Sequence, residues 1–174
     1  IPPWMKNYTG DWATMLDNHV AQICTHFAGK VSSWDVVNEA LDENEPSGYR
    51  QSIFYQRIGK KYIENAFIAA RKADPNAVLY YNEYNIELSQ TKLNFMLAML
   101  DDFKSRNIPV DGVGFRESHC VLSHDCAAPV NARYLPRSVM VPGVKTRQPT
   151  AEGINDYGRG SAAKRTNRVS WKVA

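Results

Sequence analysis

Apolar side chains recur at Trp12, Met15, Leu16, Val20, Ile23, Cys24 and Phe27. Steps of three and four lay one stripe along a helix, and Gly29 stops it. The rhythm changes at Val31, and the stretch to Asn38 reads as a strand rich in Trp and Val. Leu41 to Arg50, dense in Asp, Glu, Asn, Pro and Gly, reads as a loop. Helical spacing returns over 52–73 through Phe54, Ile58, Tyr62, Ile63, Ala66, Phe67 and Ala70. Asp74-Pro75-Asn76 turns the chain, since proline ends a helix and Asp and Asn favour turns. A second strand follows in "AVLYYNEYN", 77–85, then a helix over 89–106 and a third strand in "VDGVGF", 110–115.

Strand, helix, strand, helix, strand, with each helix long enough for a crossover, implies an α/β fold with a parallel sheet covered by helices. On these grounds alone a closed barrel and an open doubly wound sheet both remain. No Gly-rich phosphate loop follows any strand, which weakens a nucleotide-binding reading. Polar residues gather where each strand ends: Asn38-Glu39, then Asn82-Glu83-Tyr84-Asn85, then Glu117-Ser118-His119. In parallel α/β folds the carboxyl ends of the strands form the active-site rim, so three such clusters in succession point to a site.

After His119 the pattern dissolves. Residues 121–174 show no sustained period, and Pro129, Pro136, Pro142 and Pro149 interrupt them. This stretch reads as a divergent, irregular tail, disordered or written in a shifted frame. It also holds 9 Lys/Arg against 3 Asp/Glu, where residues 1–120 hold 12 against 15. Its basic residues lie among Pro, Gly, Ser and Thr without aromatic interleaving, so nucleic acid is not the expected partner. With 44% hydrophobic and 22% charged residues and no apolar run near a span's length, the composition is that of a globular protein and not of a membrane protein. The start, Ile1-Pro2-Pro3-Trp4, has no signal-peptide pattern. Three cysteines, Cys24, Cys120 and Cys126, have no metal-ligand spacing; Cys120 and Cys126 could bridge, and Cys24 falls on a helix face.

The blocks "WDVVNEAL" (34–41), "ADPNAVLYYNEYNIE" (73–87) and "IPVDGVGF…SH" resemble consecutive blocks of glycoside hydrolase family 10, the endo-1,4-β-xylanases of the (β/α)8 barrel class. "IPPW" resembles the segment after that family's third strand. The likeness runs from Ile1 to about His119. It implies a partial (β/α)8 TIM barrel covering roughly strands 4 to 6, with residues 1–120 as the central part of a catalytic domain. A whole barrel takes about 250 residues, so the chain reads as an internal fragment.

By that resemblance Glu39 is the general acid/base and Asn38 the amide that hydrogen-bonds the 2-hydroxyl of the sugar beside the scissile bond. Asn82, Tyr84 and Asn85 line the leaving-group side, and His119 orients the nucleophile. Two departures stand out. The family reads Gly-Phe-Gln-Ser-His where this chain has Gly114-Phe115-Arg116-Glu117-Ser118-His119, one residue longer, which puts His119 in doubt. The family's Thr-Glu-Leu-Asp nucleophile block has no counterpart, and Glu152, the one Glu after Glu117, has no strand around it. The nucleophile is therefore not recognisable in this chain.

The implied chemistry is retaining hydrolysis of internal β-1,4-xylosidic bonds, with xylan and xylo-oligosaccharides as partners, no metal and no cofactor. The resemblance also implies a secreted, monomeric complete enzyme. Such catalysis needs two carboxyl groups about 5–5.5 Å apart. A carboxyl that must hold its proton at neutral pH needs burial or a neighbouring carboxylate. Glu39, leaving a strand of Trp34, Val36 and Val37, is placed for partial burial. Without the family, a solvated strand-end carboxylate is the better reading of Glu39. Asn38 alone often ends strands for turn reasons, Tyr84 could be core, and Trp4, Trp12 and Trp34 read as packing. Asp35 and Glu83 read as supports that hydrogen-bond their neighbours. Two alternatives stay open: an inactive fragment that at most binds xylan weakly, and a β-1,4-glucanase of the same barrel class.

Overall fold

The computed structural model describes residues 2–116 and two short segments, 145–147 and 168–170. Helix α1 (Pro3–Lys6) leads into α2 (Trp12–Phe27), whose N-cap Asp11 accepts from the backbone N–H groups of Ala13 and Thr14. Strand β1 (Ser33–Asn38) follows, then α3 (Ile53–Ile58) and α4 (Lys61–Ala73). Strand β2 (Val78–Tyr84), helix α5 (Gln90–Ser105) and strand β3 (Gly112–Arg116) complete the alternation.

The helix expected over 52–73 is two helices. Gly59 stands between them at φ 74°, and its N–H closes α3 on the Tyr55 carbonyl at 2.8 Å. A left-handed residue just past a helix end is the favoured place for glycine. The break leaves α4 free to lay Tyr62, Ile63, Ala66, Phe67 and Ala70 against the core, all fully buried.

The sheet is parallel, in the order β4 (Lys145–Arg147), β3, β2, β1, β5 (Arg168–Ser170). Its outer members come from the tail: β4 beside β3, and β5 beside β1. The sequence pattern gives this region no element. A sheet edge presents unpaired backbone groups that any three extended residues can satisfy, so side-chain rhythm is no guide there. Cys120, Cys126, Glu152 and the rest of the tail fall outside the described residues.

All six residues of β1 are buried, as expected of a strand covered on both faces. Its register against β2 slips: Asp35 pairs with Tyr80, but Val37 pairs with Tyr81 and Asn38 with Asn82. Val36 is therefore an extra residue, a β-bulge. Trp34, 1% exposed, donates its indole N–H to Asp74 at 3.0 Å and fastens the start of β1 to the end of α4. Trp12 is buried too, edge-on to Phe54. Trp4 departs from the packing expectation: it is 57% exposed and touches the Tyr8 ring edge-on.

Candidate functional site

The carboxyl ends of β1 and β2 meet at two amides. Asn82 Nδ2 donates to Asn38 Oδ1 at 2.6 Å, both residues being buried. On the far side of Asn82 runs β3, so close that a Cβ at Gly114 would stand 2.6 Å from Asn82 Oδ1. One residue on, Glu39 donates its backbone N–H to the Asn82 carbonyl at 2.8 Å. Its φ is +55°, a left-handed conformation that costs a side-chain-bearing residue about 1–2 kcal/mol. The other described non-glycine residues with positive φ are Asn85 and Asn107, the residue type that tolerates it best.

The loop from 40 to 50 folds back on itself. Leu41 and Tyr49 form an isolated antiparallel bridge, and the Arg50 N–H reaches the Ala40 carbonyl at 2.9 Å. Gly48, at φ 75°, lies under the Phe95 ring, where a Cβ would stand 2.7 Å from ring carbons. This return brings Arg50 to the candidate site. Its Nη1 lies 3.7 Å from Glu39 Oε2, and its Nη2 donates to the Tyr84 hydroxyl at 3.1 Å. The Glu39 side chain keeps 15% of its surface exposed, so it opens onto solvent at the rim.

Beneath the rim is a buried charged pair. Glu83 and Lys92 are both fully buried, with Nζ 3.0 Å from Glu83 Oε1, an ion-pair distance although off the direction of a good hydrogen bond. Lys92 Nζ also sits 3.5 Å from the centroid of the Tyr84 ring, and 4.0 Å from Glu43. Glu83 accepts from the Leu41 and Tyr84 backbone N–H groups and from the Tyr81 hydroxyl, and that hydroxyl accepts from the Ala40 N–H at 3.3 Å. Burial, with the Glu83 carboxylate adding to it, pushes the Tyr81 phenol well above its ordinary range. Tyr81 therefore stays a neutral donor. Glu83 has the supporting geometry expected of it, and its contacts hold the backbone on either side of the rim.

The structure thus brings Asn38, Glu39, Asn82 and Tyr84 together, with Asn85 closing β2. His119 lies outside the described residues. Arg50 and Lys92 escape the sequence reading. For Lys92 a signal exists: Lys92, Met96, Met99, Leu100 and Phe103 share the buried face of α5, so a lysine occupies a core position of the helical stripe. For Arg50 none does, since the fold-back that places it depends on contacts across the loop.

Residues 1–135 match the sequence profile of glycosyl hydrolase family 10. The chain belongs to that family. It is 44% identical over 141 residues to the endo-β-1,4-xylanase Xyn10C of Cellvibrio japonicus, covering 76% of this chain and 23% of that protein. To endo-1,4-β-xylanase B of Thermotoga neapolitana it is 41% identical over 121 residues, 67% of this chain and 34% of the other. Among solved structures, xylanase 10B of Thermotoga petrophila RKU-1 in complex with xylobiose superposes with a TM-score of 0.60 at 40% identity. That match covers 66% of this chain and 36% of the other. Native xylanase 10C of Cellvibrio japonicus superposes at 0.62 with 48% identity, covering 66% and 26%. The chain spans about a third or less of these proteins, and its strands and helices are part of a (β/α)8 barrel.

Proposed function

We propose that this family 10 chain is the central part of a secreted, retaining endo-1,4-β-xylanase, in which Glu39 is the general acid/base. The observation that carries this reading is Glu39 itself: a rim carboxylate held at φ +55° where β1 ends, beside the joined amides of Asn38 and Asn82. Strained backbone at a polar strand end suits a group whose position matters more than its stability. Glu39 protonates the glycosidic oxygen as the bond to the anomeric carbon breaks and a second carboxylate attacks that carbon. The deprotonated Glu39 then takes a proton from the water that releases the sugar. Asn38 binds the 2-hydroxyl of the sugar beside the scissile bond, while Tyr84, Asn82 and Asn85 line the leaving-group side. The relative solved with xylobiose supports xylo-oligosaccharides as the ligand class.

The second carboxylate belongs to a strand that this chain does not recognisably contain. A proton donor without its nucleophile cannot form the glycosyl-enzyme intermediate, so the 174-residue chain alone releases no reducing sugar from xylan. The test of the role is Glu39→Gln in the complete enzyme. Xylan hydrolysis should fall about 10²–10⁴-fold, the usual reach of general acid catalysis, while aryl xylobiosides with good leaving groups lose far less. Equal losses on both substrates would refute the assignment.

A further inference from the structure

A fully buried lysine is rare, because an ammonium group is costly to remove from water unless something holds it. Lys92 is the one fully buried cation among the described residues. It is the third residue of α5 and shares that helix's buried face with Met96, one turn further on, and with Met99, Leu100 and Phe103. What it touches is not core. Its ammonium meets the Glu83 carboxylate at 3.0 Å and the Tyr84 ring at 3.5 Å, close enough for a desolvated cation–π contact. The Tyr84 hydroxyl then accepts from Arg50 at 3.1 Å, and the same guanidinium lies 5.6 Å from the Tyr84 ring centroid. The other arm of Arg50 faces Glu39.

We infer that Lys92 is a positioning residue for the reaction, acting on Glu39 through Tyr84 and Arg50. This rests on the acid/base reading of Glu39 and adds to it. The ammonium fixes the ring plane of Tyr84, the fixed hydroxyl orients the planar guanidinium of Arg50, and the guanidinium limits where the Glu39 carboxyl can swing. Arginine suits the middle place, since its fork can engage two oxygens at a set angle while a lysine would present a point charge. The loop that carries Glu39 and Arg50 is thus indexed to helix α5 by charge as well as by the packing of Gly48 under Phe95. A packing role alone would be met by methionine, which fills the same volume without the buried charge.

The experiment has a substrate-free arm and a kinetic arm. In the isotopically labelled chain, the Tyr84 ring signals and the Arg50 Nε–H signal are assigned by Tyr84→Phe and Arg50→Lys. Lys92→Met is combined with Glu83→Gln so that no charge is left stranded, and the Trp34 indole N–H, bonded to Asp74 at the other end of β1, reports an intact fold. The Tyr84 signals should move and Arg50 Nε–H exchange should quicken at least tenfold. Unchanged Arg50 exchange in the folded variant overturns the relay. If that variant fails to fold, Tyr84→Phe serves instead: it keeps the ring over Lys92, removes the hydroxyl, and must also free Arg50, and a still-protected Arg50 overturns the inference. In the complete enzyme the double variant should lower kcat on xylan about tenfold with KM within twofold, and lower aryl xylobioside turnover much less. Equal loss on both substrates severs the link to Glu39. A relay seen by exchange beside a Glu39→Gln enzyme that still cleaves xylan would sink the acid/base reading and leave the relay standing.

Discussion

Asn38 and Asn82 share a hydrogen bond of 2.6 Å across the ends of two parallel strands, and the backbone of Gly114 on the third strand closes over Asn82 Oδ1. The amide of one strand is thereby aimed by the amide of the next and braced by the one after. Asn82→Leu should cost about 1–3 kcal/mol in urea unfolding, as for the loss of a buried hydrogen bond. Gly114→Ala should cost a similar about 1–3 kcal/mol through overpacking against the same amide. Because both act on one group, their combination should cost clearly less than the two separate losses together. Simple additivity would show that the contact at Gly114 yields without moving Asn82.

The φ of +55° at Glu39 makes a prediction that runs against the usual order of substitutions. Glycine is normally the worse replacement in structured backbone, yet here it relieves a left-handed conformation that alanine keeps. Glu39→Gly should be more stable than Glu39→Ala by about 1 kcal/mol, read from thermal or urea midpoints. The reverse order would mean that Glu39 is not strained.

Removing one partner of the Lys92–Glu83 pair leaves a charge buried alone. Lys92→Met should therefore destabilise by about 3–5 kcal/mol, and adding Glu83→Gln should recover a large part of that loss. Chemical denaturation of the single and double variants measures it. A double variant no more stable than Lys92→Met would argue that the ammonium contributes through its stem packing and not its charge.

Alkaline pH should weaken the fold before it touches the surface. Burial, with Asp74 adding, pushes the Cys24 thiol up from 9.0 to about 12, and burial raises the Tyr62 and Tyr81 phenols as well. Each group ionises in the unfolded chain while it is still neutral in the folded one, so the unfolded state loses protons first. The stability is full below the ordinary thiol value and is lost as pH climbs from about 9 toward the folded value. The slope is at most about 1.4 kcal/mol per pH unit for each group. Cys24→Ala should flatten the onset of the decline below about pH 9.5, where the phenols of the unfolded chain have ionised only in small part. A parent chain whose urea midpoint is level to pH 10.5 would contradict this.

The three inner strands were legible as apolar runs broken by polar ends, and β1 and β2 end on the candidate residues Asn38, Glu39, Asn82 and Tyr84, whereas β4 and β5 carry no such run. What escaped had physical reasons. Gly59 sits inside an otherwise helical rhythm, and only its positive φ reveals a break. Arg50 reaches Glu39 through a fold-back whose Leu41–Tyr49 bridge joins residues with no pattern in common. The slip at Val36 is silent because all six residues of β1 are buried, and a strand covered on both faces has no alternation to lose.

That slip gives the two central strands different lengths between the same two ties. From Ser33 to Asn38 β1 uses six residues where β2 needs only the five from Val78 to Asn82. Flattening the bulge with all six residues kept would leave a strand that still pairs along its length. Its end would nevertheless be advanced by one place, setting Asn38 opposite Glu83 and Glu39 opposite Tyr84. The bulge takes up that extra residue, so Asn38 meets Asn82 and the Glu39 N–H reaches the Asn82 carbonyl. Val36 is the slack that lets the two strand ends arrive together.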